Sequence, residues 1–309
     1  MQTRTLGKTG LEVSILGFGA SPLGGVFGAI DQSDATWMVH EALDHGVNFI
    51  DVSPFYGVTR AETCLGNALA GIRRDRFILA TKVGRYDAAE FDFSSARTRR
   101  SVDESLSRLK VDCIDLIQCH DIEFGSLDQV IHETIPTLIQ LREVGKVKFV
   151  GITGLPLKIF SYVTARVDVD TVLSYCHYTL YDDSLLTILP GLVGADVGVI
   201  SAAPLGMGLL TDRPLPEWHP APRPLRVACA KARSACEERG MRISDVALQF
   251  ALANPLIAST LVGIGSRAQL EANLAAVGHS PDEELMHTIG SIFADVRDMS
   301  WPSGLPENN

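Results

Sequence analysis

Four polar residues of the sequence combine types that can move a proton to or from an alcohol. They are Asp51, Tyr56, Lys82 and His120. A tyrosine phenol has a pKa of about 10, too high to accept a proton readily at neutral pH, but a lysine ammonium beside it favours the ionised form. A carboxylate would hold that lysine charged, and a histidine could orient a substrate oxygen through a hydrogen bond. Together these groups predict general acid–base chemistry with the tyrosine as proton carrier.

Each of these side chains alone has a simpler explanation. A lone aspartate after a strand often forms a turn, a lysine often extends along the surface, and a histidine often serves as hydrogen-bonded scaffold. Four such groups near the ends of three neighbouring strands favour a site. Ser53 and Asp121 adjoin them, so we expect both to bind substrate hydroxyls, although a cap or turn explains Asp121 equally well. Trp218, in the proline-rich stretch 214–224, could cover the substrate or belong to an inert loop.

Eight short apolar runs alternate with amphipathic helical stretches along the chain. Most are apolar on both faces, which is typical of parallel strands covered by helices. The runs are ILGFG (15–19), NFIDVS (48–53), FILATKV (77–83), CIDLIQCH (113–120), FVGIT (149–153), TVLSYC (171–176), VGVISAA (197–203) and STLVGI (259–264). Eight such strands predict a single α/β domain over 1–309, a (β/α)₈ TIM barrel, with two smaller doubly wound domains as the alternative. An N-terminal β-hairpin (3–14) and a C-terminal helix with a tail (282–309) are expected to flank it.

The barrel explains how residues distant in sequence would meet. Active sites of this architecture lie at the carboxyl ends of the strands, where Asp51, Lys82 and His120 end strands two, three and four. The glycine-rich segment 17–25 has the spacing G-x-G-x-x-x-x-G and continues through Pro22 rather than into a helix. It therefore predicts a loop at the barrel mouth and not a Rossmann dinucleotide site.

The composition disfavours several classes of function. The chain of 309 residues has 27 basic and 37 acidic side chains, and its net charge of −10 disfavours nucleic acid or anionic membranes as partners. The uncharged stretch 246–266 contains Asn254-Pro255, so a buried helix, loop and strand is expected rather than a membrane span. Six cysteines without a C-x-x-C pair and a polar start predict a cytoplasmic protein, and the histidine spacing predicts no metal site. Monomer and homodimer both stay open.

Several motifs resemble those of the aldo-keto reductases. They are GVNFIDVSPFYG (46–57), ATKVGR (80–85) and QCHD (118–121), within a similarity that runs from LGKTGLEVSILGFGASPLGG (6–25) to GIGSRAQLEANLAAV (263–277). The resemblance implies a barrel and a catalytic tetrad formed by Asp51, Tyr56, Lys82 and His120. It also implies an extended nicotinamide cofactor bound without a Rossmann domain.

Longer strings resemble one branch of this family, whose members oxidise C1 of L-galactose to a lactone with NAD on the plant route to ascorbate. The strings lie at 118–130, 150–157, 173–178, 204–212, 216–222 and 301–304. The resemblance implies that Tyr56 takes the proton of the anomeric hydroxyl while hydride leaves C1, with His120 orienting the sugar oxygen. L-fucose, D-arabinose, L-glucose and pyridoxal are alternative substrates. A non-catalytic module like the β-subunits of potassium channels is the alternative from another class.

The resemblance also implies which residues hold the cofactor. They are Gly19, Thr153, Ser174, Ser201, Pro204, Leu205, Gly263, Ser266, Arg267, Gln269 and Asn273. Thr153 would keep one contact to the nicotinamide carboxamide, whereas the aromatic that stacks on the ring aligns with Ala202. The basic positions that bind the 2′-phosphate of NADP align with the uncharged Gly263 and Gln269, which favours NAD, although Arg267 lies in the same segment and could turn inward.

Overall fold

The computed structural model describes residues 1–26 and 28–309. Its strands are β1 (Thr3–Thr5), β2 (Glu12–Ser14), β3 (Leu16–Gly19), β4 (Phe49–Asp51), β5 (Ile78–Val83), β6 (Ile114–Cys119), β7 (Val147–Gly154), β8 (Thr171–Tyr175), β9 (Gly198–Ala202) and β10 (Ser259–Gly263). Its α-helices are α1 (Gln32–Asp44), α2 (Arg60–Leu69), α3 (Ser95–Leu109), α4 (Leu127–Gln129), α5 (Ile135–Glu143), α6 (Leu157–Thr164), α7 (Leu189–Gly194), α8 (Arg223–Glu237), α9 (Ile243–Ala253), α10 (Arg267–Ala276) and α11 (Glu283–Phe293). A π-helical turn (Val130–Thr134) joins α4 to α5.

Strands β3 to β10 form a closed parallel barrel, because β10 pairs with both β9 and β3. Helices carried by the connections pack on its outer surface, as expected for strands that are apolar on both faces. The predicted TIM barrel is confirmed, and the alternative of two doubly wound domains is wrong because the sheet is continuous. The predicted hairpin is also present, with Thr3 of β1 opposite Ser14 of β2.

Alternation along the strands separates the barrel interior from the layer beneath the helices. The interior cluster contains Leu6, Val13, Phe49, Ala80, Leu116, Leu173, Ile200, Ala258 and Leu261. Leu6 comes from the hairpin and packs against Gly198 at the start of β9, so the hairpin covers the amino end of the barrel. Since every second residue faces the same way, the positions that follow Phe49, Ala80 and Leu116 by two or four residues point inward at the carboxyl end.

The uncharged stretch 246–266 folds as predicted into a helix, a loop and a strand. Most of α9 comes first, the chain turns at Asn254, whose Oδ1 accepts the N–H of Leu256 at 2.9 Å, and β10 follows. Among the described residues, no helix is both long and apolar enough to cross a membrane.

Candidate active site

The carboxyl ends of three neighbouring strands bring four predicted residues together. Asp51 ends β4, Lys82 lies in β5, and His120 directly follows β6. Tyr56 lies in the loop after β4, with its ring edge-on to His120 at 5.7 Å between centroids. The strands, the lysine and the histidine are almost fully buried, so charges in this cluster act through a medium of low polarity.

The Lys82 ammonium is the centre of the cluster. Its Nζ donates to Asp51 Oδ1, to the carbonyl oxygen of Val52 at 2.9 Å and to the Tyr56 hydroxyl at 3.2 Å. These three acceptors match the three protons of an ammonium group. The lysine is therefore fixed in direction, with one N–H aimed at the phenol oxygen.

The protonation states follow from burial and from this charge pair. Burial works to lower the pKa of Lys82, but Asp51 and Tyr56 more than offset it and hold that pKa above its usual value. Burial raises the pKa of Tyr56, and the nearby ammonium only partly opposes this effect. The resting tyrosine is therefore a neutral phenol, whereas the lysine charge considered alone predicts a tyrosinate.

Gln118 is a member of this cluster that the sequence analysis missed. Its Nε2 donates to Asp51 Oδ2 at 2.9 Å, so both oxygens of that carboxylate have partners. The other end of the amide, Oε1, is buried without a hydrogen-bond partner among the described residues. Its position two residues before His120 in the run CIDLIQCH was the available signal, because alternation along an extended run makes both face inward.

Ser53 holds the imidazole of His120. Its Oγ lies 2.9 Å from Nδ1 of the histidine and accepts the N–H of Phe55 at 3.1 Å. The Asp121 carboxylate oxygen 3.6 Å from Nε2 favours the histidine proton on Nε2, and the Ser53 hydroxyl then donates to Nδ1. Burial lowers the pKa of His120 to about 3, so the ring is neutral at neutral pH. Direct contact between Ser53 and substrate stays a prediction.

Asp121, the residue after His120, has a left-handed backbone conformation with φ of 47°. Its Oδ2 accepts from Arg85 Nη1 at 2.5 Å, and its Oδ1 accepts from Thr153 Oγ1 at 3.4 Å. Burial works to raise the pKa of Asp121, but the charge and the hydrogen bond of Arg85 hold it below its usual value. The charge of His120 adds to this effect only at acid pH, where that ring is protonated. The carboxylate is therefore ionised beside the histidine and can accept from a hydroxyl group.

The ends of β3 and β10 meet at a pair of glycines. Gly19 pairs with Gly263, and a Cβ added at Gly19 would lie 2.9 Å from the carbonyl oxygen of Val262. A Cβ added at Gly263 would lie 3.3 Å from the ring of Pro22. Further along, Asn273 of α10 is largely buried, and its Nδ2 has no hydrogen-bond partner among the described residues. The glycine pair thus leaves close-packed backbone without side chains, and Asn273 has one buried amide donor unused.

The start of α10 is ordered by side-chain caps and by an ion pair. Ser266 Oγ accepts the N–H of Gln269 at 3.3 Å. Arg267 binds Asp34 of α1 through Nη2 at 2.8 Å and Nε at 2.9 Å. Its guanidinium also lies 4.6 Å from the ring centre of Trp37. Arg267 is therefore engaged with α1.

The proline-rich stretch 214–224, in which Trp218 was predicted to cover the substrate, packs against the C-terminal segment. Trp218 is about half exposed and stacks on His219 at 5.9 Å between ring centres. His219 is buried, its Nε2 lies 3.0 Å from the carbonyl oxygen of Gly206, and its ring meets Trp301 edge-on at 5.4 Å. The proline-rich loop is thus anchored to the rest of the molecule, and the contact of Trp218 with substrate stays a prediction.

A buried carboxyl that the sequence analysis missed, Glu123, binds the C-terminal segment. Its Oε1 accepts from Ser303 Oγ at 2.9 Å and from the N–H of Leu155 at 3.1 Å. Its carbonyl oxygen accepts from Asn308 Nδ2 at 2.9 Å. Burial raises the pKa of Glu123 to about 8, so the group is mostly protonated at neutral pH.

Replacing Glu123 with Gln should make stability less dependent on pH. The pKa of about 8 in the folded chain exceeds that of an exposed glutamate, so between these values the folded state binds the extra proton. Wild-type stability therefore falls as pH rises from 5 to 8, by up to about 1.4 kcal/mol per unit from this group. Urea unfolding at several pH values measures the slope. An equally steep slope in Glu123→Gln would contradict the assignment.

The comparisons with known proteins agree with this geometry. A profile of the aldo/keto reductase family matches residues 15–293. The chain belongs to this family. L-galactose dehydrogenase of Arabidopsis thaliana is 50% identical over 317 aligned residues, covering 100% of this chain and 99% of the relative. D-arabinose 1-dehydrogenase of Saccharomyces cerevisiae is 31% identical, covering 87% of each chain. The holo form of an aldo-keto reductase from Bacillus halodurans superposes with a TM-score of 0.80 at 31% identity, covering 94% of this chain and 96% of that one.

Family membership confirms the predicted resemblance and the prediction of an oxidoreductase. Aldo-keto reductases use nicotinamide cofactors, and this barrel offers groups that suit one. A buried Asn273 amide donor without a partner among the described residues and the backbone without side chains at Gly19 and Gly263 are the features that a nucleotide could use. Pro204 and Leu205 follow β9 and so lie at the same end of the reductase barrel.

Two predicted cofactor residues do not reach the mouth of the reductase. Ser174 follows Leu173, and Ser201 follows Ile200, and both of these preceding residues face the barrel interior. Adjacent residues on a strand point to opposite sides, so the two serines face the helical layer, where both hydroxyls are buried without partners among the described residues. The structure therefore corrects this part of the prediction. Thr153 faces inward but is hydrogen-bonded to Asp121.

Proposed function

We propose that this chain oxidises L-galactose at C1 to its lactone, with NAD as the hydride acceptor. The observation that carries the proposal is the Tyr56 hydroxyl held 3.2 Å from the Lys82 ammonium, with the neutral ring of His120 beside it. The identity of 50% to L-galactose dehydrogenase of Arabidopsis thaliana supports the choice of substrate.

The reaction removes a hydride and a proton from the anomeric carbon and its hydroxyl. When bound, the nicotinamide accepts the hydride. Tyr56 acts in its minor tyrosinate form, after its own proton has passed to solvent, and its Oη then takes the hydroxyl proton. The Lys82 ammonium favours that ionised form. His120 donates from Nε2 to the sugar oxygen and fixes its position. Asp121 accepts from a second sugar hydroxyl, which a steroid or long aldehyde would not supply.

The preference for NAD rests on charges near the start of α10. Gly263 and Gln269 carry no charge, and the guanidinium of Arg267 is bound to Asp34 of α1. A 2′-phosphate is bound best by a guanidinium or ammonium partner. Asp34 also places a negative charge beside that region, which opposes a further phosphate.

Replacing Asp34 with Asn should increase the use of NADP. The change releases Arg267 and removes a repulsive charge, and one charge-assisted contact corresponds to about tenfold in affinity. The ratio of kcat/KM for NADP to that for NAD measures the effect, as does the Kd of 2′,5′-ADP for the free protein. The double variant Asp34→Asn/Arg267→Gln is the matched control and should show no gain. An equal gain in both would exclude Arg267 as the phosphate ligand.

The direct test of the proposed function is a substrate panel followed by the absorbance of reduced nicotinamide. Purified protein is supplied with NAD or NADP and with L-galactose, L-fucose, D-arabinose, L-glucose or pyridoxal. We expect NAD-linked turnover that is fastest with L-galactose. Faster turnover of another sugar would leave the tetrad in place and refute the substrate assignment around Asp121. No turnover, with NADH still bound, would favour a binding module.

We also propose one barrel domain that works in a reducing compartment such as the cytoplasm. All six cysteines are free thiols, and four of them are buried. Thiols of this kind persist where glutathione keeps cysteine reduced.

A further inference from the structure

Arg85 has no role in the chemistry described so far, yet it contacts the active site. Its Nη1 donates to Asp121 Oδ2 at 2.5 Å, and both side chains are largely buried. The guanidinium carbon lies 3.8 Å from the ring centre of Phe55, 5.0 Å from Phe124 and 5.3 Å from Phe91. Attraction between a cation and ring faces stabilises this placement. The arginine is therefore held in one position by an aromatic cage, defined as Phe55, Phe91 and Phe124.

The carboxylate oxygen that Arg85 binds also faces the catalytic histidine. Asp121 Oδ2 lies 3.6 Å from Nε2 of His120, slightly too far for a hydrogen bond. A buried carboxylate this close would draw the Nε2 proton toward itself and favour the imidazolium. Arg85 competes for the same oxygen with a full positive charge, and its charge also disfavours a second cation on the ring.

We propose that Arg85 is a positioning residue that holds Asp121 away from His120, so that the imidazole stays uncharged and its Nε2 proton faces the substrate. This inference rests on the proposed function, in which His120 orients the sugar oxygen. The other charged or titratable groups that face the ring are Lys82 and Tyr56, and Ser53 holds the opposite nitrogen. Like Arg85, Lys82 lowers the pKa of the His120 ring, but its hydrogen bonds go to Asp51, Val52 and Tyr56 and not to Asp121 Oδ2.

The first test is NMR of the free protein labelled with ¹⁵N-histidine, with His120→Asn used to assign the signal. Wild type should show a neutral ring with the proton on Nε2 from pH 4.5 to 8. Arg85→Met should raise the pKa of His120 by about 1–3 units, the usual effect of an opposite charge at this distance. Arg85→Lys keeps the charge and should retain most of the wild-type behaviour. Arg85→Gln gives the same comparison with a neutral polar side chain if Arg85→Met does not fold.

The second test is the pH profile of kcat. Arg85→Met should lose activity progressively as pH falls, relative to wild type, whereas a loss of packing alone would lower kcat equally at every pH. The double variant Arg85→Met/Asp121→Asn should no longer lose activity as pH falls, because the carboxylate is gone. Its kcat should stay below that of wild type at every pH. An unchanged histidine titration and a flat activity ratio in Arg85→Met would overturn the proposal. Absence of turnover in wild type would refute the proposed function, and the NMR titration would still decide the role of Arg85.

Discussion

Replacing Tyr56 with Phe is expected to lower kcat for sugar oxidation by about 10²–10⁴, the usual contribution of a positioned acid–base group. The substitution removes only the hydroxyl that Lys82 contacts at 3.2 Å and keeps the ring that packs beside His120 and Phe55. Binding of NADH and the midpoint of thermal unfolding should therefore stay near wild type. Steady-state kinetics and a thermal scan measure both.

The matched control for this prediction is Tyr181→Phe. The Tyr181 hydroxyl is buried, has no hydrogen-bond partner among the described residues and belongs to a cluster that contains none of the four tetrad residues. Its loss should leave kcat unchanged. If Tyr56→Phe also keeps kcat within about tenfold of wild type, another group carries the proton. Because burial raises the pKa of Tyr56, wild-type oxidation should accelerate as pH rises and the tyrosinate fraction grows.

Replacing Lys82 with Met is expected to abolish most activity and to destabilise the fold. The phenol loses the cation that favours its ionised form, so we expect kcat to fall by at least about 10². Asp51 loses its ion-pair partner in a buried site and keeps only the Gln118 amide. Breaking one side of a buried pair costs about 3–5 kcal/mol. Kinetics and urea unfolding measure the two effects separately.

The double variant Lys82→Met/Asp51→Asn separates catalysis from stability. Removing the stranded carboxylate charge should recover most of the lost unfolding free energy, because a neutral amide costs less to bury. The same variant should stay inactive, since the phenol still lacks its ammonium. Recovery of turnover in the double variant would show that the lysine serves only to neutralise Asp51.

The barrel and the meeting of the four predicted side chains could be predicted because their signals are local. Eight runs that are apolar on both faces indicate a covered parallel sheet, and closure then brings every carboxyl end to one mouth. Asp51, Lys82 and His120 each end such a run. The run alone therefore predicts that they lie at the mouth of the barrel, without knowledge of the side chains that they contact. The electrostatic balance at Tyr56 was not accessible in the same way, because it depends on how deeply the ring is buried.

The residues that were missed or misplaced depend on contacts between distant parts of the chain. Arg85 meets Asp121 across 36 positions, and Glu123 meets Ser303 across 180, so no local pattern pairs them. The error at Ser174 has a different origin, because its contacts are local. Neighbouring residues on a strand face opposite sides, so the side of Ser174 follows from that of Leu173. In a run that is apolar on both sides, however, the two faces look alike, and family alignment alone does not show which way a serine points.

The pairing of the first barrel strand with the last affects how the chain folds while it is being synthesised. Leu16 of β3 pairs with Thr260 of β10, so one of the first strands to leave the ribosome waits for the last. Until then β3 and β9 present open edges, which pair readily with other chains. Contacts so far apart in sequence also form slowly. A nascent chain that stalls before β10 is therefore expected to aggregate unless a chaperone covers those edges.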